Sequence, residues 1–71
     1  MIEPILKRYK IYAKENGGLM GEFLSEMVFE RQVIDLKDKK TSITLIVIRH
    51  HPTKEYIYFN KDTVDMVIGD I

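Results

Sequence analysis

The run Ser42-Ile43-Thr44-Leu45-Ile46-Val47-Ile48-Arg49-His50 restricts the folds open to this chain more than any other segment. It is rich in β-branched residues, which fit a pleated surface better than a helix. Apolar side chains occupy both parities at its centre: Ile43, Leu45 and Val47 on one, Ile46 and Ile48 on the other. A strand sends alternate side chains to opposite faces. The run therefore predicts a central strand covered on both faces.

Its neighbours in sequence also read as strands. Val28, Phe29, Val33 and Ile34 favour a strand from about Met27 to Leu36, although its alternation is irregular. Met27 and Phe29 share one parity, and Ile34 and Leu36 the other. A bulge near Arg31-Gln32 reconciles them, and so does a strand covered on both sides. Lys37-Asp38-Lys39-Lys40 is a polar turn leading into the central run. His51-Pro52-Thr53-Lys54 forms a loop before a further strand, Glu55 to Phe59, with Tyr56 and Tyr58 on one face and Ile57 and Phe59 on the other. The connections are too short for crossovers, so the expected arrangement is an antiparallel meander.

The two ends read differently. Ile2, Ile5, Leu6, Tyr9, Tyr12 and Ala13 follow the i, i+3, i+4, i+7 spacing of an amphipathic helix over Ile2–Asn16, with Pro4 in its first turn. Gly17-Gly18 supplies its stop. Ile11 breaks the pattern, projecting opposite the apolar stripe near Lys7 and Lys14. Leu19 to Val28 fits either a helical stripe or the start of a strand. Near the C-terminus, Asp62 is placed to cap a short helix through Ile68, with Val64, Val67 and Ile68 facing in, while the β-branched content also allows a short strand. The expected architecture is one α+β domain over residues 1–71: an N-terminal helix followed by a three-stranded antiparallel meander.

Size makes such a domain marginal. At 71 residues a monomer buries only about 60% of the surface its unfolded chain exposes. Disulfides are excluded because there is no cysteine, and two histidines alone make a structural zinc site a poor substitute. Association remains as the compensation. One helix covers only one face of a three-stranded sheet, so the second apolar face of the central strand needs a covering; a second copy of the chain is the economical answer, and the alternatives are the Leu19–Leu24 segment or the C-terminal segment folding over it. A homodimer is expected, with Ile11, Tyr56 and Tyr58 as contacts to that copy or to a partner protein. The longest apolar run, Leu45–Ile48, is too short to span a bilayer and no signal sequence is read, so a cytoplasmic location without membrane contact is expected.

The order of one helix (Ile2–Asn16) and three strands (about Met27–Leu36, Ser42–His50, Glu55–Phe59) in a chain of this length resembles the small prophage-encoded Yopt family. The resemblance implies a homodimer and a phage-related setting. It supplies no catalytic residues.

Residues with chemical potential are few. His50 and His51 are adjacent, so on a strand they point apart and do not ligate one metal together; His50 faces Glu55 across the hairpin, with Asp62 and Asp65 as further candidate acids. The cysteine-free chain has no serine in a nucleophile-elbow setting, and Gly17-Gly18-Leu19-Met20-Gly21 lacks the preceding strand of a phosphate-binding loop. No catalytic residue, metal site or cofactor is assigned. Net charge is zero, with 11 basic and 11 acidic residues, and its sign alternates in blocks along the chain, which suits contacts between segments or copies. The expected function is a non-enzymatic interaction or regulatory protein that binds another protein. The alternative is nucleic-acid binding through Lys7, Lys10 and Lys14 on one helix stripe, with Lys39 and Lys40 at the hairpin tip and Tyr56 and Tyr58 stacking on bases.

Overall fold

The computed structural model describes residues 5–34 and 42–70. Over them the chain forms six strands: β1 (Lys7–Ala13), β2 (Leu19–Ser25), β3 (Val28–Ile34), β4 (Ser42–His50), β5 (Glu55–Asn60) and β6 (Val64–Gly69), with a 3-10 turn at Lys61–Thr63. They make two antiparallel three-stranded sheets, in the orders β2-β1-β6 and β3-β4-β5. The expected α+β architecture is therefore overturned. The meander of the second sheet is present as read, with β4 at its centre. A second sheet stands where the helix was expected.

The N-terminal correction turns on one residue. As a strand, Lys7–Ala13 alternates Tyr9, Ile11 and Ala13 against Arg8, Lys10 and Tyr12. Ile11, the misfit of the helical reading, becomes the centre of the inner face and is wholly buried. It is not a surface contact for a partner. The helix stop at Gly17 is instead a hairpin turn: Gly17 adopts φ 70°, its N–H donates to the Ala13 carbonyl at 2.8 Å, and Ala13 N–H donates to the Gly18 carbonyl at 2.8 Å. Asn-Gly at a turn between two strands is a strong hairpin signal, since such turns require positive φ. Leu19–Ser25 resolves as the returning strand, with Tyr9 opposite Phe23 and Ile11 opposite Gly21.

At the other end Asp62 caps no helix. The Asn60 side chain accepts from the Asp62 N–H at 3.0 Å, and Thr63 Oγ1 donates to the Asn60 carbonyl at 3.0 Å. This fastens the single turn that redirects the chain from β5 into β6. Val64, Met66 and Ile68 then pair opposite Ala13, Ile11 and Tyr9. The expected turn at Lys37–Lys40 lies outside the described residues.

The core sits between the sheets. Ile11 and Val64 from one meet Ile46 and Ile48 from the other, with Tyr9, Phe23, Val28, Phe59 and Met66 packed around them. Phe23 lies at 5.7 Å, centroid to centroid, from both the His50 ring and the Phe59 ring, edge-on to the first. Such geometry places ring edges against ring faces. Gly21 leaves room for this cluster: a Cβ there would fall 2.6 Å from the tip of the Phe23 ring.

The two sheets share one bent segment. β2 pairs with β1 and β3 pairs with β4, with only Glu26 and Met27 between them. At the bend Ser25 is wholly buried; its Oγ donates to the Met27 carbonyl at 2.8 Å and accepts from the Met27 N–H at 3.0 Å. The end of β4 runs past the same corner, where His51 N–H donates to Leu24 O at 2.8 Å and Arg49 N–H to Met27 O at 3.2 Å. Strands that switch sheets through a bend are how two sheets join at a corner.

Two substitutions test this account by chemical denaturation. Ser25→Ala removes both bonds that the buried hydroxyl makes to Met27, leaving the Met27 carbonyl only its bond from Arg49 N–H, and should lower stability by about 1–3 kcal/mol. Gly21→Ala forces Phe23 from its place between His50 and Phe59 and should cost about 1–3 kcal/mol. Wild-type stability in both variants would refute the role given to the corner and to the aromatic cluster.

Candidate functional site

Cross-strand partners share a face of a sheet, so the register of β3-β4-β5 sorts its side chains. Val28, Ile46, Ile48, Ile57 and Phe59 turn toward the core. The opposite face carries three rows across the sheet: Arg49 beside Tyr56, then Phe29, Val47 and Tyr58, then Arg31, Leu45 and Asn60. Val33 and Ile43 pair beyond them. Among the described residues no element covers this outer face. Phe29, Val33, Ile43, Tyr56 and Tyr58 are each 40–52% exposed. Val47, in the middle row, is only 1% exposed, yet it belongs to this outer parity and not to the inter-sheet core.

The sequence expectation for β4 is thus met at its centre in part by an unusual route. Its inner side chains are covered by the first sheet. Its outer ones are flanked by aromatic neighbours and have no layer above them.

The composition of the outer face is distinctive. It carries tyrosine, phenylalanine and arginine, with no lysine and no carboxylate in its three rows. Aromatics and arginine are enriched in interface cores, and lysine, aspartate and glutamate are depleted there. Arg49 lies with its guanidinium carbon 5.9 Å from the Tyr56 ring centroid. Its Nη1 reaches Glu26 Oε1 at 3.7 Å, and its Nε is buried with no hydrogen-bond partner. Tyr56 and Tyr58 share a face as the sequence predicts. Ile11 is far from them, in the core.

The basic residues of the alternative reading do not assemble. Lys7 and Lys10 fall on opposite parities of β1, so the helical stripe that joined them to Lys14 does not exist. Lys10 and Arg8 face away from the core on the first sheet, where Arg8 Nε pairs with Glu22 Oε1 at 3.1 Å. Tyr56 and Tyr58 face away from the core on the second sheet, on the other side of the molecule. Lys39 and Lys40 lie outside the described residues.

The histidines divide as expected of neighbours on a strand. His50 pairs opposite Glu55 and packs its ring against Phe23. His51 Nδ1 lies 3.9 Å from Glu26 Oε1 and 3.4 Å from Lys54 Nζ. Asp62 and Asp65 belong to the 3-10 turn and to β6. Among the described residues no three histidine, aspartate or glutamate side chains converge as metal ligands.

A groove of about 440 Å³ opens between β3 and β6, walled by Val28–Glu30 on one side and Val64–Met66 on the other, with Ile46 at its floor. Lys61 Nζ donates to Glu30 Oε1 at 2.7 Å, joining the 3-10 turn to β3 at this groove. The hydrogen bond to Glu30, and then its charge, raise the Lys61 pKa above 10.5. Nothing in the sequence pairs Glu30 with Lys61; the contact follows from the return of the chain into β6.

No helix among the described residues is long and apolar enough to cross a membrane. The helix-plus-three-strand order that carried the resemblance to the Yopt family is not the order observed. No family model matches the chain, and neither a curated protein nor a solved structure does so.

The Lys61–Glu30 pair gives a pH prediction. A lysine whose folded pKa is raised contributes fully below its unfolded value and loses that contribution as pH rises through the folded pKa. The effect is therefore confined to alkaline pH, and is small because both side chains are about half exposed. Glu30→Gln should bring the Lys61 titration, followed by NMR at its ε-carbon, back toward 10.5. An unchanged titration would show that the pair does not form in solution.

Proposed function

We infer that this chain is a non-enzymatic interaction protein that acts as a homodimer, two copies meeting through the outer face of β3-β4-β5, and that the dimer binds another protein. The observation that carries this reading is the cluster of exposed side chains on this face, Phe29, Tyr56 and Tyr58 around the buried Val47, with Val33, Ile43 and the arginines beside them. Three aromatics near half exposure contribute about 300 Å² per copy, from side chains of ~150–250 Å² each. Twofold symmetry uses the patch twice. With Val33, Ile43, Leu45 and the arginines added, the buried total approaches the ~1,200 Å² at the low end of stable interfaces. Two sheets meeting face to face pack at about 10 Å with interdigitating side chains, which gives β4 the second covering layer that its sequence demands.

The chain's small core supports the same reading. Five apolar side chains are buried among the described residues, and the cysteine-free chain has no disulfide to reinforce them. Burial between copies adds what the monomer lacks. The nucleic-acid alternative has less support among the described residues, since Lys7 and Lys10 do not share a face of β1 and Lys10 points away from Tyr56 and Tyr58.

Sedimentation velocity over a wide concentration range tests this directly. The wild-type chain should remain dimeric to low micromolar concentration. Tyr58→Ala and Phe29→Ala, both at exposed positions, should each weaken association by about tenfold or more, as central aromatic contacts do, while leaving the circular dichroism spectrum unchanged. A wild-type monomer at all concentrations would overturn the reading, and salt-sensitive retardation of DNA or RNA would favour the alternative.

A further inference from the structure

The groove between β3 and β6 differs in kind from the outer face. Each wall is made of three consecutive residues, Val28–Glu30 and Val64–Met66. Consecutive residues point to alternate faces, so a cavity that all three line is bounded by a strand edge and its backbone. β6 is an edge strand, paired only with β1 among the described residues. An edge strand presents a row of unpaired backbone N–H and C=O groups. Sheets guard such edges with charged residues, proline or bulges. β3 carries Glu30-Arg31-Gln32 along its middle, and β2 carries Glu22 and a register shift against β1. Over six residues β6 has only Asp65, and its Val67 and Ile68 are 52% and 54% exposed. The groove beside it reaches down to Ile46 and Val64, which belong to the buried core.

We propose that this groove receives an extended segment of another protein, which adds to the first sheet as a strand along β6. Main-chain hydrogen bonds to the open edge supply affinity, and pockets for alternate side chains supply selectivity. The inserted side chains are apolar, since they meet Ile46, Val64 and Met66. The alternate side chains emerge on the face of the sheet that carries Asp65 together with Lys10 and Arg8, where polar residues meet both signs of charge. A single strand suits a cleft bounded by two edge strands, β3 and β6. The inference rests on the reading of the chain as a protein-binding module and names the site and the kind of segment bound.

The probe is a capped eight-residue peptide alternating valine and lysine, titrated into isotopically labelled protein and followed by NMR. Shift changes are expected at Val64–Ile68 and Val28–Glu30, with slowed amide exchange along β6. The same peptide N-methylated at alternate residues, which removes the edge hydrogen bonds, should bind about tenfold or more weakly. Shift changes confined to the outer face of β3-β4-β5, equal binding of the N-methylated peptide, or no binding overturns the proposal. Tyr58→Ala separates it from the dimer: the variant should bind the peptide as the wild type does. Peptide binding by a chain that is monomeric throughout would remove the homodimer and leave the groove. A persistent dimer that ignores the peptide would do the reverse.

Discussion

The two bonds between Ser25 Oγ and the backbone of Met27 hold the bend on which the other contacts depend. A single segment runs along β1 in its first half and along β4 in its second, and the bend sets the angle between the two sheets. That angle brings Ile11 and Val64 over Ile46 and Ile48. Burial explains why a hydroxyl serves here. At the corner the Met27 N–H bonds to the hydroxyl and the Met27 carbonyl is shared between the hydroxyl and Arg49 N–H, and a buried hydroxyl left unpaired would cost more than a hydrogen bond ordinarily gains. One serine side chain, as donor and acceptor together, satisfies both Met27 groups without enlarging the corner.

How far the fold could be read from the sequence varied with the length of the apolar pattern. β4 and β5 were legible because nine and six residues of β-branched and aromatic character leave little choice. The N-terminal segment was not, because Tyr9, Tyr12 and Ala13 satisfy a period of 3.6 while Tyr9, Ile11 and Ala13 satisfy a period of 2. Seven residues cannot separate the two periods. Ile11 and Asn16-Gly17 carried the deciding information: a β-branched residue on the wrong side of a helix, and a dipeptide made for hairpins. Without β1, Leu19–Ser25 has no partner to identify it, and β6 has nothing to pair with.

The candidate surface was legible in one half and hidden in the other. Tyr56 and Tyr58 share a face under any strand reading of Glu55–Phe59, and the two-sided apolarity of β4 signals a demand for a second layer. Phe29, Arg31 and Arg49 join them only through register, which local sequence does not contain. The basic stripe of Lys7, Lys10 and Lys14 failed for the same reason in reverse, since its unity came wholly from the assumed helical period. The groove was invisible at this level, because its walls are 36 residues apart in the chain at Val28 and Val64.

Arg8 and Gly69 are direct partners across β1 and β6, so the first and last strands leave the first sheet side by side at one end. The chain therefore enters β1 and leaves β6 at nearly the same point in space. Tension applied between Arg8 and Gly69 would peel the β1–β6 ladder apart pair by pair from that point, before it reached β3-β4-β5.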